Sequence, residues 1–331
     1  MTAKTREKDL GIFVEPASMS LNVFLDKWLS ECAVLKLREQ TLNGYKFLLN
    51  RYIRVKLGSK RLSDIQAYEI QKLYNEMKKA NYSPKTIRHA HNVLSSALKQ
   101  AVKWKMLMQN PCDLCDLPRQ VKKEMKCLTP IEARIFLEMA KDNRHFVLFL
   151  LAIQAGARPQ EYLALQWKDI DFENKVLSVK RAVIENKGGG FRFDEPKTTR
   201  SRRSIPISQG LVNELKQHRR KQLEAKLKLG SQYQNFDLVF ASEIGTPLQK
   251  KNIRDRHFKP LLKKAELPDI RLYDLRHTTA TLLLSEGVNP KIVSERLGHA
   301  SIVLTLDTYS HVLPTMQEDA TEKLEMMLKT G

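Results

Sequence analysis

The chain has 331 residues, enough for about two domains that each bury a hydrophobic core. Its 57 Lys and Arg exceed its 37 Asp and Glu, and the formal net charge of +20 favours a polyanionic partner, nucleic acid ahead of an anionic membrane surface. Because 42% of the residues are hydrophobic, the chain is not a disordered basic tail, and its charge must lie on folded domains.

The sequence offers no candidate for a membrane-spanning helix. The longest apolar run, Phe146–Ile153, has eight residues, less than half of the roughly 20 that cross a bilayer. The first twenty residues carry six charged side chains and no apolar core of signal-peptide length. We therefore expect a cytoplasmic protein without a membrane partner.

The four cysteines are too few for a disulfide framework in a chain of this length, and a reducing compartment keeps them as thiols. Cys112 and Cys115 could begin a zinc site with Cys127, but no fourth ligand lies at a usual spacing. No metal site is predicted.

The first hundred residues predict a bundle of four helices. Apolar residues recur at helical spacing behind four candidate start sites, Ser20, Thr41, Ser63 and Ser83. The last of these serines is followed by proline, which is common at the first helical position.

Beyond about residue 126 the sequence predicts helices and strands together. Helices are expected near 130–141 and 145–154, followed by a tight corner at Ala155-Gly156-Ala157 and a helix through about Gln166. Three strand-like segments can form one small antiparallel sheet: 176–184, 191–193 and 203–207. The remainder is predicted to be mostly helical, so the expected fold class is mainly α with a small antiparallel β-sheet.

These patterns divide the chain into an N-terminal extension (1–17), a helical domain (18–108), a linker (109–126), a second domain (127–314) and a C-terminal helix (315–331). Residues 1–120 hold 21 basic and 11 acidic side chains, which leaves 36 and 26 for the rest, so both domains are basic. Two basic domains on one linker could close round a duplex, whereas a single basic run is usually a solvated helix face.

Several residues could converge on a phosphate. Arg158 follows the Gly156 corner at the start of a helix, where it could hold a phosphodiester oxygen or simply pair with Glu161. Lys197, on a basic hairpin, could protonate a leaving oxygen or merely contact a phosphate. Arg276 lies in Tyr-Asp-Leu-Arg-His at the start of a later helix.

Two further motifs follow near the end of the chain. Leu297-Gly298-His299 comes after a helix that starts at Asn289-Pro290, and Tyr309 lies ten residues after His299. By itself, such a tyrosine is usually half-buried packing.

In this order the motifs resemble those of the tyrosine recombinase family, in particular the integrases of phages and conjugative elements. The resemblance covers about residues 17–318, and it is carried by the joint pattern rather than by any single motif. It implies a helical, SAM-like core-binding domain and a mixed α+β catalytic domain, clamped as a C around the crossover site.

The resemblance also assigns roles. Tyr309 would be the nucleophile, Arg158 and Arg276 would clamp the scissile phosphate, Lys197 would protonate the leaving 5′ oxygen, and His299 would hydrogen bond a phosphate oxygen. Two guanidinium groups can stabilise the charge that builds on the nonbridging oxygens, so no cofactor is expected. The implied product is a 3′-phosphotyrosine, which conserves the bond energy and makes the cut reversible without ATP.

One position departs from the family. Tyr273 stands where the family most often has histidine, and its unperturbed pKa near 10 makes it a poor general base at neutral pH. Whether His277 or a water takes over that task stays open. Glu161 matches an acidic position that supports the active site without reacting.

The resemblance implies double-stranded DNA attachment sites as the partner and a homotetramer that acts on them in two pairs. It leaves room for a DNA-bending accessory protein and an excisionase, and only some seventeen residues stand where longer integrases carry an arm-binding domain. The tail from about Thr315, with Leu324 and Met327 on one stripe, would dock on a neighbouring protomer or pack on its own domain. Basic residues expected to contact DNA are Lys85, Arg88, Arg200, Arg202 and Arg203.

Three alternatives stay in view. A type IB topoisomerase-like enzyme would relax DNA alone, but the Leu-Gly-His and Asp-Thr-Tyr motifs favour a recombinase. A non-catalytic DNA-binding protein would use the arginines as ordinary phosphate contacts. A metal nuclease built on His277, His299 and His311 lacks recognisable ligand spacing.

Overall fold

The computed structural model describes residues 18–120, 125–186, 189–194, 202–309, 321–322 and 324–329. The chain forms two compact units, Met1–Lys123 and Glu124–Gly331. The boundary lies inside the segment that the sequence predicts to be a linker.

The described part of the first unit is built from four main helices: α1 (Leu21–Trp28), α2 (Glu39–Leu48), α3 (Ala67–Lys79) and α4 (Pro84–Lys103). A π-helical turn follows each of the first two, and the helices resume over Val34–Lys36 and Arg54–Leu57.

The helix starts follow from side-chain capping. Ser20 and Ser83 accept hydrogen bonds from the backbone N–H groups three residues ahead, at 3.4 and 3.2 Å, as the sequence predicts. Helix α2 begins two residues before Thr41. Helix α3 begins at Ala67 rather than near Ser63, because a 3₁₀ turn (Leu62–Asp64) comes first.

The segment 110–118 belongs to the first unit, although the sequence predicts a linker there. Pro111–Leu114 forms a 3₁₀ helix capped by Asn110, and the Cys112 side chain is fully buried in the core of the bundle. The Cys115 thiol donates to the Ala67 carbonyl at 3.4 Å. The loss of periodicity therefore marks the end of the helices and not the end of the unit.

The second unit combines helices and strands. Its described helices are α5 (Pro130–Met139), α6 (Phe146–Ala155), α7 (Pro159–Tyr162), α8 (Gln209–Leu229), α9 (Lys250–Ile253), α10 (Asp274–Ser285), α11 (Pro290–Leu297) and α12 (Ile302–Tyr309). Helix α9 continues through a π-helical turn (Arg254–Phe258) into Lys259–Lys264. Its described strands are β1 (Ile170–Asp171), β2 (Val176–Val179), β3 (Ala182–Glu185), β4 (Phe191–Asp194) and β5 (Arg203–Pro206).

The strands form two antiparallel sheets instead of the single sheet expected. Strands β1, β2 and β5 pair in that order, and β3 pairs with β4. The predicted strand 176–184 is broken at Lys180 and Arg181, whose side chains both form ion pairs with the buried carboxylate of Asp169. The predicted fold class, mainly α with a small antiparallel β-sheet, is confirmed, with two small sheets in place of one.

A glycine corner links the most apolar helix to the candidate site. Gly156 ends α6 with φ +63°, and a Cβ there would lie 2.7 Å from a methyl group of Leu297. Glycine alone fits this left-handed conformation and close approach. The corner thereby sets the direction in which Arg158 leaves the core.

Near the C-terminus, residues 321–322 and 324–329 are helical, and Leu324 and Met327 are 58% and 76% exposed. Thr315, where the predicted tail begins, lies outside the described residues. Among the described residues, no helix has the length and apolar character needed to cross a bilayer.

Candidate active site

Arg276, on the first turn of α10, is a buried cation with unused hydrogen-bond donors. Its residue is 1% exposed, and Nη1 donates to the Gly156 carbonyl at 2.9 Å. Nε and Nη2 are buried without a partner among the described residues. Burial, followed by the nearby charge of Arg158, lowers the pKa of Arg276 to about 10, so it stays protonated at neutral pH. Such a group is stabilised by an anion that accepts from both donors.

Arg158 caps the short helix α7 and is held on two sides. Its Nη1 donates to Glu161 Oε1 at 2.7 Å, and its Nη2 donates to the Gly298 carbonyl at 3.1 Å. The Arg158 backbone N–H donates to the other Glu161 oxygen at 2.9 Å. The Arg158 side chain remains 29% exposed, so it is fixed in place and still accessible from solvent.

Glu161 also pairs with Arg203. Arg203 Nη2 donates to Glu161 Oε2 at 2.9 Å, and Arg203 Nε donates to the Arg296 carbonyl at 2.6 Å. The Arg203 side chain is only 6% exposed. Arg203 is expected from the sequence to contact DNA, but in this conformation its guanidinium is buried against a carboxylate.

His299 follows the left-handed turn at Gly298 that ends α11. Its Nδ1 lies 2.7 Å from the hydroxyl of Thr305, a fully buried residue on α12. Burial, followed by the charges of Arg276 and Arg158, lowers the pKa of His299 to about 4. The imidazole is thus neutral at pH 7, and when Nδ1 accepts from Thr305, Nε2 carries a proton that can be donated to a phosphate oxygen.

Tyr309 is the last described residue of α12 and is 1% exposed. Its hydroxyl lies 2.8 Å from His277 Nδ1, and His277 is adjacent in the chain to Arg276. Burial raises the pKa of Tyr309, while the Arg276 charge acts in the opposite direction. The phenol is therefore protonated and enclosed in this conformation, but it lies within the electrostatic range of the buried guanidinium.

Two protein-family models match the chain that carries these residues. Residues 126–316 match the model of the phage integrase family, and residues 20–78 match the N-terminal SAM-like domain of phage integrases. The chain belongs to the phage integrase family of tyrosine recombinases. Members of this family cut DNA strands and rejoin them, so the chain is an enzyme of DNA recombination, and the resemblance drawn from its motifs is confirmed.

Relatives of this recombinase share nearly its whole length. It is 34% identical to a tyrosine recombinase XerC-like protein of Caldanaerobacter subterraneus subsp. tengcongensis, over 95% of this chain and 85% of the relative. It is 28% identical to the ICEBs1 integrase of Bacillus subtilis, over 94% of this chain and 84% of that protein. Among solved structures, a Tn1549 transposon integrase in complex with a circular intermediate DNA matches with a TM-score of 0.78 at 25% identity, covering 93% of this chain and 100% of that one.

Tyr273, which stands where the family most often has histidine, lies beside His277. Tyr273 precedes α10 and is 36% exposed, with its ring 5.3 Å from the ring of His277. His277 in turn contacts Tyr309, and burial lowers the pKa of His277. The neutral imidazole, not the Tyr273 phenol, is the group beside the predicted nucleophile.

The remaining predicted residues fall into three groups. Lys85 and Arg202 are exposed. Arg88 is half-buried, and its Nε donates to the Pro118 carbonyl at 2.9 Å. Lys197 and Arg200 lie outside the described residues, as does His311 of the metal-nuclease alternative.

Within the described part of the chain, no group of three or more His, Cys, Asp or Glu residues could hold a metal ion. The cysteines Cys112, Cys115 and Cys127 carry free thiols.

Two supporting residues were missed by sequence reasoning. Thr305 lies four residues before Tyr309, on the same face of α12, and the sequence signal is a single hydroxyl within the apolar run 302–306. Arg296 donates through Nη2 to the Gln154 carbonyl at 2.7 Å and so joins the end of α11 to α6. That contact depends on tertiary packing, and no local pattern indicates it.

Proposed function

We propose that this recombinase cuts DNA at the attachment sites of a mobile element through a covalent bond between Tyr309 and the 3′ phosphate. Arg276 and Arg158 would hold the scissile phosphate, and His299 would donate a hydrogen bond to it. Lys197 would protonate the leaving 5′ oxygen, as the family resemblance implies.

One observation carries the proposal: Arg276 is buried while two of its donors are unused. A buried cation costs several kcal/mol unless it is paired, so a fold keeps one for an anion that arrives from outside. Arg158 and His299 lie near Arg276, since the charges of the two arginines act on each other and on His299. A phosphodiester supplies the missing negative charge and has acceptor oxygens for both guanidinium groups.

The reaction follows from these positions. The Tyr309 oxygen forms a bond to phosphorus, the bond from phosphorus to the 5′ oxygen breaks, and the phenolic proton leaves. His277 Nδ1 is 2.8 Å from that phenol and is neutral at pH 7, so it is our candidate for the acceptor of the proton. Rejoining reverses these steps when a 5′ hydroxyl of another strand attacks the phosphotyrosine.

Burial of Tyr309 requires a movement before attack. With 1% exposure the phenol cannot meet a DNA strand, so we propose that binding of DNA releases α12 and exposes the tyrosine. Hydrogen bonds from Arg276 Nε and Nη2 to the phosphate would favour the state in which Tyr309 is exposed.

We also propose that the first unit is the core-binding domain, that the second is catalytic, and that four copies act together on DNA. The fold is shared with a lambda integrase tetramer bound to a Holliday junction, with a TM-score of 0.62 at 19% identity. If the attachment sites lie on a chromosome, as we propose, the enzyme would act in the cytoplasm. A DNA-bending protein and an excisionase are proposed as accessory partners.

The test is a nicked suicide duplex that carries the element's attachment site. Wild-type protein should accumulate an adduct that survives heating with SDS and forms in EDTA, whereas Tyr309→Phe should bind the duplex and form none. Equal adducts from both proteins would reject Tyr309 as the nucleophile. An adduct that EDTA abolishes would point to metal-dependent chemistry instead, and relaxation of supercoiled DNA that has no attachment site would favour a topoisomerase.

A further inference from the structure

The first residue of β5, Arg203, faces the active-site carboxylate rather than the solvent. We infer that Arg203 is a positioning residue of the recombinase: it holds Glu161, and through Glu161 it holds Arg158, while it also ties β5 to the turn that presents His299. The inference rests on the proposed function, in which Arg158 and His299 contact the scissile phosphate.

The carboxylate of Glu161 is shared between two guanidinium groups. Its Oε1 accepts from Arg158 Nη1 at 2.7 Å, and its Oε2 accepts from Arg203 Nη2 at 2.9 Å. The side chains of Glu161 and Arg203 are 4% and 6% exposed. Because both oxygens are engaged, Glu161 cannot rotate without breaking the contact that orients Arg158.

A second contact extends the effect of Arg203 to His299. Its Nε donates to the carbonyl of Arg296, in the last turn of α11, at 2.6 Å. Arg158 Nη2 binds the Gly298 carbonyl in the same turn, directly before His299. The two arginines thus hold one turn from both sides, and a shift of either would move the imidazole.

Arg203 also takes part in the three-stranded sheet. It pairs with Val179 at the end of the antiparallel β2–β5 ladder, six residues after Lys197 in the chain. Lys197 itself lies outside the described residues. A buried ion pair therefore fixes the start of β5.

The charges around Glu161 explain why an arginine is needed. Burial raises the pKa of Glu161, but the charge and hydrogen bond of Arg203, followed by those of Arg158, hold it below its usual value. Arg276 lies within electrostatic range of the same carboxylate. Without Arg203, the pKa of Glu161 should rise, and protonated Glu161 would hold Arg158 less firmly.

Single-turnover cleavage of the suicide duplex across pH, with DNA affinity measured in parallel, tests the inference. Arg203→Ala should bind DNA within about twofold of wild type, cleave about 100-fold more slowly, and lose activity on the acidic side at a higher pH. Arg203→Lys should bring the acidic limb, meaning the pH range where the cleavage rate falls on acidification, close to that of wild type. It should restore only part of the rate, because lysine supplies the charge but lacks the planar guanidinium that bonds two acceptors at once.

Two variants serve as matched controls. Arg181→Ala also removes an arginine from a buried carboxylate, Asp169, and should keep the wild-type cleavage rate and acidic limb in the folded protein. Arg202→Ala removes the exposed neighbour and should weaken binding and reduce the salt dependence by about one counterion, as expected for a phosphate contact.

The outcomes are distinct. If Arg203→Ala behaves like Arg202→Ala, and cleaves at the wild-type rate when DNA is saturating, Arg203 is a DNA contact and the inference is wrong. If Arg203→Ala fails to fold, Arg203→Lys decides, and a wild-type rate at every pH would overturn the inference. Failure of the wild-type protein to form a Tyr309-dependent adduct would instead reject the proposed function.

Discussion

The two units bury different kinds of side chain. In the described residues of the first unit, the buried polar side chains are neutral, Ser95 and Asn110. In those of the second, three carboxylates and two guanidinium groups are buried: those of Glu161, Asp169, Asp274, Arg203 and Arg276. An apolar core stabilises a fold, whereas buried charges rarely stabilise it further, so their presence agrees with the proposal that the second unit is catalytic.

Within the second unit, the buried charges are themselves unequal. Glu161, Asp169 and Asp274 each form an ion pair with at least one arginine. Arg276 has a backbone carbonyl as its hydrogen-bond acceptor and two donors without a described partner. Each carboxylate has a cationic partner, whereas Arg276 is the buried charge that we propose to bind the phosphate.

The largest effect should come from Arg276→Met, which keeps the apolar stem and removes the guanidinium. The rate of cleavage of the suicide duplex should fall by about 1,000-fold or more, because the negative charge of the transition state is no longer stabilised by the buried guanidinium. The free energy of unfolding, measured with denaturant, should stay unchanged or rise, since the unsatisfied donors are gone.

The control for this prediction is Arg181→Met, which leaves the Asp169 carboxylate buried with a weaker partner. It should lower the free energy of unfolding by about 3 kcal/mol and leave cleavage by the folded protein unchanged. If Arg276→Met is as destabilising as the control, the distinction between Arg276 and the paired charges of the second unit is wrong.

Phe24→Ala in the first unit should do the opposite of Arg276→Met: it should lower stability and leave cleavage unchanged. Phe24 is fully buried among apolar side chains, so its truncation should lower the free energy of unfolding of that unit by about 3 kcal/mol. At saturating DNA and below the unfolding transition, the cleavage rate should not change. A slower cleavage step with unchanged DNA affinity would show that the first unit takes part in the chemistry.

The smallest effect concerns His145, whose pKa is lowered to about 3 by burial, with further contributions from His257, Arg144 and His218. Between about pH 6.5 and pH 3, the unfolded imidazole binds a proton and the folded one does not, so the second unit should lose up to about 1.4 kcal/mol per pH unit as the pH falls. Denaturant titrations of wild type and His145→Gln at pH 7, 5.5 and 4.5 measure this. Identical slopes for the two proteins would contradict the prediction.

Local patterns predicted much of the fold. Ser83 and the proline after it begin α4, and the glycine at position 156 forms the expected corner with a positive φ. Local patterns failed where contacts with distant residues determine the structure. The strand expected over 176–184 breaks at Lys180 and Arg181, whose side chains form ion pairs with Asp169. The buried partner, Asp169, lies outside the predicted strand, so the alternation of residues within 176–184 could not indicate the break.

The candidate site shows the same limit. The order of the motifs predicted the family, and Arg158, Glu161, Arg276 and His299 do lie in one cluster. The sequence could not distinguish an arginine that contacts DNA from one that pairs with Glu161, because both lie in basic segments. The buried position of Tyr309 against His277 was equally hidden, since it depends on how α12 packs.

The most direct test is to find which residue carries the DNA after cleavage. The adduct from the suicide duplex would be digested with protease and nuclease, and the modified peptide would be sequenced by mass spectrometry. We predict a nucleotide on Tyr309 and no modified peptide from Arg276→Met. A nucleotide on Tyr273 or on another side chain, or full adduct formation without Arg276, would contradict the account.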